Sequence, residues 1–300
     1  MTFRCSAASE DRDELVTGSA THVRGFLLLE HTGPWGRTAL LDARLPAGLG
    51  GEVRRRAQES RIKILLVRRH LARRDPARLT VLAAYADSAA PRLETATVTD
   101  LREVLDLDLA GLPRGRSLGL EPSDSSVFAV CTNGRHDACC AERGRPVAAA
   151  LTDVHPDETW EVSHIGGDRF AANVLVLPHG LYYGRLEASA AVDTAHRHVA
   201  GELDLDHLRG PSYAPMPVQF AEVALRRELG ESRLGVVRPT GWNAGDGLTD
   251  ARFETPDGAY VVRVRTTPGP PCRLTCQAGR DNAPPSHQVV ALGRDGAMTG

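Results

Sequence analysis

The stretch that most limits what this chain can fold into runs from residue 126 to 203, where the hydrophobic pattern switches between strand and helix period three times. Residues 126–130 are an apolar run of strand length that delivers Cys131 at its end and passes into the polar loop Thr132-Asn133-Gly134-Arg135-His136-Asp137. A helix follows through residues 147–151, with Pro146 either opening it or kinking a longer helix that begins near Cys140. Residues 159–164 read as a second short strand. Residues 173–177 and 181–186 read as two more, joined by the tight turn Pro178-His179-Gly180, and residues 188–203 as a long amphipathic helix. Strands joined through a helix pair in parallel, whereas a hairpin pairs antiparallel, so this order predicts one mixed sheet with flanking helices.

The rest of the chain supplies simpler units. Residues 26–29 predict a buried strand, followed by turn chemistry at His31-Thr32-Gly33-Pro34-Trp35-Gly36 and a short helix near residues 39–43. Residues 54–60 predict helix, 62–67 and 79–84 strands, and Thr99-Asp100 caps a short helix over 101–107. After a Pro-broken linker at 210–217, a helix over 219–229 leads into a β-rich tail, where Thr255-Pro256-Asp257-Gly258 between residues 251–254 and 259–265 predicts a hairpin. The expected organisation is a flexible, acidic tail over 1–19, an N-terminal α/β unit over 20–118, a central domain over 119–210, and a helix plus β-rich tail over 211–300. The first two α/β units could be related halves of one body, but no internal repeat is visible.

Composition narrows the function classes. The formal net charge of -2, with the Arg54–Arg56 and Arg68–Arg74 clusters interleaved with apolar residues, argues against a nucleic-acid partner. No apolar run is long enough to cross a bilayer, and the N-terminus turns acidic before a signal-type apolar core forms, so the expectation is no membrane partner and a cytoplasmic location. A chain of 300 residues buries a core without disulfides. The six cysteines follow no secreted framework. Cys131, Cys139 and Cys140 crowd together, Cys272 and Cys276 form a second pair and Cys5 stands alone, a distribution that suggests metal or redox chemistry.

The constellation that carries chemistry is Cys131, eight residues, Cys140, then His164-Ile165-Gly166-Gly167-Asp168. Two thiolates with a histidine suit a soft metal or an iron-sulfur cluster, and adjoining glycines let backbone approach a cofactor. CTNGRHDACCAERGRPV resembles the first cysteine loop of thioredoxin-like ferredoxins, and FAANVLVLPHGLYYGRL resembles their closing hairpin. With FLLLEHTGPWGRTAL and SHIGGDRFAAN, the chain resembles the sucrase/ferredoxin-like family over most of its length. The element order of residues 126–203 is also that of the thioredoxin arrangement.

The resemblance implies a 2Fe-2S cluster, with Cys131 and Cys140 matching the first cysteine pair. It also implies electron transfer with a reductase or an oxidised acceptor as redox partner protein. The second pair in those ferredoxins is C-x-x-x-C, and some relatives use H-x-x-x-H. His164 matches the first of these positions and Asp168, a harder oxygen donor, occupies the second. No carboxylate pair with glycosidase logic is apparent, so an electron carrier is expected and not a sucrase. The alternatives are a thiol-based redox enzyme, which a C-x-x-C would favour and this sequence lacks, and a ferredoxin-like binding module without a cluster. Blander roles stand beside each candidate. Cys139 reads as core, Cys5 as incidental, and Cys272 and Cys276 as loop residues; His164 is either a ligand or a hydrogen-bonded histidine. Asp168 is either a ligand or the ion-pair partner of Arg169 or Arg143, or a helix cap, and His196 and His198 read as exposed helix residues.

Overall fold

The computed structural model describes residues 2–70 and 78–296; the part of the Arg68–Arg74 cluster from residue 71 onward lies outside them. In chain order the elements are α1 (Cys5–Glu10), β1 (Gly25–Glu30), α2 (Ala39–Asp42), α3 (Leu49–Ser60), β2 (Ile62–Arg68), β3 (Leu79–Tyr85), β4 (Arg92–Val98), β5 (Glu121–Ser123) and β6 (Val127–Cys131). There follow α4 (Ala138–Val154), β7 (Thr159–Val162), β8 (Val174–Leu177), β9 (Leu181–Tyr183), α5 (Ala188–Val199), β10 (Leu208–Pro211), α6 (Met216–Leu229), β11 (Arg238–Gly245), β12 (Leu248–Thr255), β13 (Gly258–Pro268) and β14 (Pro285–Arg294).

The first ten strands form one mixed sheet in the order β10-β9-β8-β6-β7-β2-β1-β3-β4-β5. In its first half β1 pairs in parallel with β2 and antiparallel with β3, and β3 pairs antiparallel with β4. In its second half β6 pairs in parallel with β7 and antiparallel with β8, and β8 pairs antiparallel with β9. The two halves repeat one pattern and meet at β2 and β7, an antiparallel pair with Val67 opposite Val162 and Arg68 opposite Glu161. The sheet therefore has a local two-fold relation about that seam. Residues 20–118 and 119–210 share one sheet and one buried layer, in which Phe26 and Leu28 of β1 meet Val127 and Ala129 of β6 and Trp160 of β7.

Burial explains the sequence pattern of the central strands. Every residue of β1 and β6 is buried. Alternate side chains of β1 go to opposite faces, Leu27 and Leu29 packing with Leu49 and Val53 of α3, and Phe26 and Leu28 joining the shared layer. In β6, Phe128 and Val130 pack with Val147 and Leu151 of α4 and Ala191 of α5. Covered on both faces, such strands read as continuous apolar runs. The C-terminal part is a separate antiparallel sheet, β11-β12-β13-β14, packed on α6 through Val218, Ala221, Leu225, Phe253, Val262 and Val264. The hairpin expected about Thr255–Gly258 is its central pair, β12 and β13.

Several expectations need correction. The segment over 1–19, expected to be flexible, carries α1 and packs Cys5, Ser6 and Ser9 out of solvent. Its acidic residues meet arginines of the second half, Arg143 donating to Glu10 at 2.8 Å and Arg169 to Glu14 at 2.7 Å, while Arg185 donates to the Ser9 hydroxyl at 3.0 Å. Acidity that suggested a solvated tail is thus a set of partners for cations elsewhere. Of the two readings of Pro146 the longer helix is the one observed, since α4 runs from Ala138 to Val154 with Pro146 inside it. The strand expected over 159–164 stops at Val162, which leaves His164 in a loop. His198 is buried, stacking edge-on against His179 and Phe128, because α5 lies against the sheet where a surface face was expected.

Candidate metal centre

The site is built at the end of β6. Cys131, the last residue of that strand, is 1% exposed, and the loop after it ends at Asp137, whose Oδ1 accepts the Cys139 backbone N–H at 2.9 Å and caps α4. Helix α4 is pressed hard onto the strand: a Cβ at Gly144 would lie 2.1 Å from the Cys131 carbonyl oxygen. That close approach brings Cys140, in the first turn, back over Cys131. The sulfurs of Cys131 and Cys140 and a ring nitrogen of His164 all lie within 4.8 Å of one another.

His164 arrives from the loop after β7, which is held from two sides. Lys63 Nζ on β2 donates to the Ile165 carbonyl at 2.8 Å, and the buried Arg209 donates to the Gly166 carbonyl and to Asn173 Oδ1, each at 2.9 Å. Gly167, at φ +79°, must be glycine, since a Cβ there would meet the Arg209 guanidinium at 2.3 Å. The loop then turns Asp168 inward, 2% exposed, with Oδ1 3.2 Å from Cys140 Sγ and 3.0 Å from His164 Nδ1. Arg169 and Arg143, the partners expected for Asp168, are engaged by Glu14 and Glu10 instead, and the residue that caps the short turn over Asp168–Phe170 is Gly167.

One further residue belongs to this pocket and was missed from the sequence. The His136 ring stacks on His164 with centroids 3.6 Å apart, and its Nε2 lies 3.7 Å from Asp168 Oδ2. Its Nδ1 lies 3.0 Å from the Arg37 carbonyl, an acceptor, so Nδ1 is the donor of that contact and Nε2 is the nitrogen that faces Asp168. His136, His164 and Asp168 form a second set of donors within 4.8 Å. Nothing in the linear spacing singles out His136, because the loop geometry and not the helix repeat carries it there.

Charge in the pocket is redistributed by these contacts. Cys131 is pulled down to about 5 by the Cys140 thiol, against the burial that raises it, and further by His164. Burial alone would lower His164, but contact with Asp168 and then with Cys131 outweighs it and lifts the imidazole to about 9. Asp168 is held low in spite of burial by His164 first and the Cys140 thiol after it. Buried Lys63, pushed down to about 8 by desolvation, adds a second cation beside the loop. His164 Nδ1 lies close to the carboxylate yet is buried without an aligned hydrogen bond. The pocket therefore presents two sulfurs, imidazole nitrogen and a carboxylate converging in a largely buried space, residues that could hold a metal ion.

Cys139, one position before Cys140, points about 100° away around the helix. It is buried, as expected of a core residue, but its neighbours are the sulfurs of Cys5 and Cys276. Cys272 stays apart, in an isolated bridge with Asn282. Among the described residues, no helix is long and apolar enough to cross a membrane. No curated protein and no solved structure matched the chain. A sequence model of the family described as Sucrase/ferredoxin-like matches residues 16–210, which span the ten-stranded sheet and every donor around Cys131. The chain accordingly belongs to the sucrase/ferredoxin-like family.

Proposed function

We propose that this chain is an electron-transfer protein that holds a 2Fe-2S cluster through Cys131, Cys140 and His164, with Asp168 as the fourth donor. The observation that carries this reading is the convergence of Cys131, Cys140 and His164 within 4.8 Å at the end of β6, inside the segment matched by the family. The order β9-β8-β6-β7, with a helix between the parallel pair and another after the hairpin, supports a thioredoxin-like ferredoxin module around that site. When bound, the cluster supplies reversible one-electron chemistry.

The chain's own residues then define the environment. Cys131 and Cys140 are fully buried, whereas the His164 and His136 side chains are 29% and 27% exposed. The imidazole edges are therefore the shortest way between the site and solvent, and a reductase or acceptor protein docks over them. Lys63 and Arg209 hold the His164 loop by its carbonyls and place positive charge beside an anionic centre, which favours its reduced state. The free thiols suit a reducing, cytoplasmic compartment. His136 is the competitor for the fourth position: its proton is committed to Arg37, the arrangement common to ligating histidines.

Protein purified without oxygen is expected to contain iron and acid-labile sulfide in equal amounts, with visible absorption that bleaches on reduction. Cys131→Ser and Cys140→Ser are each expected to abolish both. Iron without sulfide, or full cluster content in either variant, overturns the reading. Asp168→Asn and His136→Gln, compared by midpoint potential across pH, identify the fourth donor, since replacing the ligand changes the potential and its pH slope while replacing the bystander leaves the slope intact.

A further inference from the structure

We propose a second metal site in this chain, a zinc-type divalent cation held by the thiolates of Cys5, Cys139 and Cys276 with the carboxylate of Asp137 as fourth donor. These residues come from α1, from the start of α4 and from the connection between β13 and β14, so they are remote in sequence and meet only in the fold. The separations are 3.8 Å between Cys5 and Cys139 Sγ, 3.6 Å between Cys276 and Cys5 Sγ, and 3.3 Å between Cys139 and Cys276 Sγ. A tetrahedral ion with Zn–S bonds of about 2.3 Å sets its sulfurs about 3.8 Å apart. A disulfide would need about 2.05 Å. The triangle is thus close to the size that one thiophilic ion requires.

Asp137 completes the set. Both of its oxygens lie 3.7 Å from Cys5 Sγ, close to the S···O separation of about 3.6 Å that follows from Zn–S of about 2.3 Å and Zn–O of about 2.1 Å in a tetrahedron. Each oxygen already accepts one backbone N–H, Oδ1 from Cys139 at 2.9 Å and Oδ2 from Cys276 at 2.7 Å, and each keeps a lone pair. These bonds orient the carboxylate and tie the C-terminal loop to the cap of α4. Cys5 N–H points at Cys276 Sγ at 3.4 Å, and since burial, with Asp137 and Cys139 beside it, raises that thiol to about 11, a bound ion would displace its proton. Cys139 sits in the first turn of a 17-residue helix, where the helix dipole also favours a thiolate.

The site has a structural rationale. Helix α1 has six residues, and the segment 269–284 between β13 and β14 has no strand or helix of its own. Neither carries an extended apolar face, yet both meet here, where only Phe3 and Ala171 add apolar cover. A bound ion cross-links both to the helix that supplies Cys140, in the way that metals staple small units lacking core.

The test uses the full-length protein, purified under reducing conditions, analysed for zinc and iron together and titrated with cobalt alone. One equivalent of zinc is expected beside the iron. Cobalt should give intense tetrahedral bands with sulfur charge transfer, and these bands should be lost in Cys276→Ser, which lies in a loop and leaves the fold intact, and in Cys5→Ala. Cys272→Ser should keep the zinc, and all three variants should keep iron and sulfide. Zinc retained in both Cys5→Ala and Cys276→Ser but lost in Cys131→Ser would overturn the proposal, because the ion would then sit at the other centre. A protein without zinc would also overturn it, whether the three thiols titrate freely or intact mass shows the loss of two hydrogens to a disulfide.

Discussion

Replacing Gly144 with alanine pits helix propensity against packing, and the structure decides the sign. In an exposed helix interior Gly→Ala is stabilising by about 1 kcal/mol. At this position the new methyl would lie 2.1 Å from the Cys131 carbonyl oxygen and 3.2 Å from its carbon, while real Cβ contacts are essentially never shorter than 3.0 Å. The obstacle is backbone of a central strand, hydrogen-bonded on both sides, so α4 must move outward by about 1 Å. Overpacking of this kind costs about 3 kcal/mol at the upper end of its usual range, leaving a net loss of about 2 kcal/mol after the propensity gain. A loss of that size lowers Tm by roughly 3 °C in a chain this large. The same displacement lifts Cys140 away from Cys131, so metal affinity is expected to fall by about ten-fold or more, as when a supporting contact of a site is lost. Thermal unfolding and iron content of Gly144→Ala, measured beside Gly51→Ala in α3 where a Cβ meets nothing, check both effects. An unchanged or raised Tm with full iron content would refute the claim that this glycine sets the distance between strand and helix.

Three further outcomes follow from the same structure. His198, buried beside His179, is lowered to about 3 by desolvation from an ordinary value of 6.5, so unfolding takes up a proton between those pH values. Its contribution is fully present above about pH 6.5 and is lost as the pH falls, by up to about 1.4 kcal/mol per pH unit. His198→Leu should flatten that slope in denaturant titrations at pH 5 and 7, and an identical slope would rule His198 out as its source. Gly167→Ala should disturb the Arg209 clamp and loosen the His164 loop, read as faster loss of iron to a chelator without a large change in far-UV circular dichroism; an unchanged rate would separate the clamp from the site. Arg169→Ala together with Arg143→Ala should free the N-terminal segment, read as new proteolytic cleavage within residues 1–19, and resistance equal to the parent would show that the apolar contacts of α1 suffice.

The sequence by itself determined the kind of sheet and singled out four residues that the fold brings together. Continuous apolar runs at β1 and β6 reported strands covered on both faces, and the βαβ-hairpin-helix order required mixed pairing, because both properties are local consequences of burial and chain reversal. Cys131, Cys140, His164 and Asp168 stood out through the spacing of the two cysteines, the glycines beside His164 and the family resemblance. What tertiary structure decided was everything that depends on segments meeting across the fold. The two-fold seam between β2 and β7 is a pairing of strands from different halves, whose sequences show no repeat since the constraint is on hydrogen-bond direction and not on side-chain identity. His136 enters the pocket by stacking on a loop from another strand, and Cys5 and Cys276, each unremarkable in its own neighbourhood, are brought to Cys139 from opposite ends of the chain. The acidic N-terminus looked solvated because the partners that tie it down are not local: Arg143 and Arg169, which hold Glu10 and Glu14, lie more than a hundred residues away, and only folding places them within hydrogen-bonding distance.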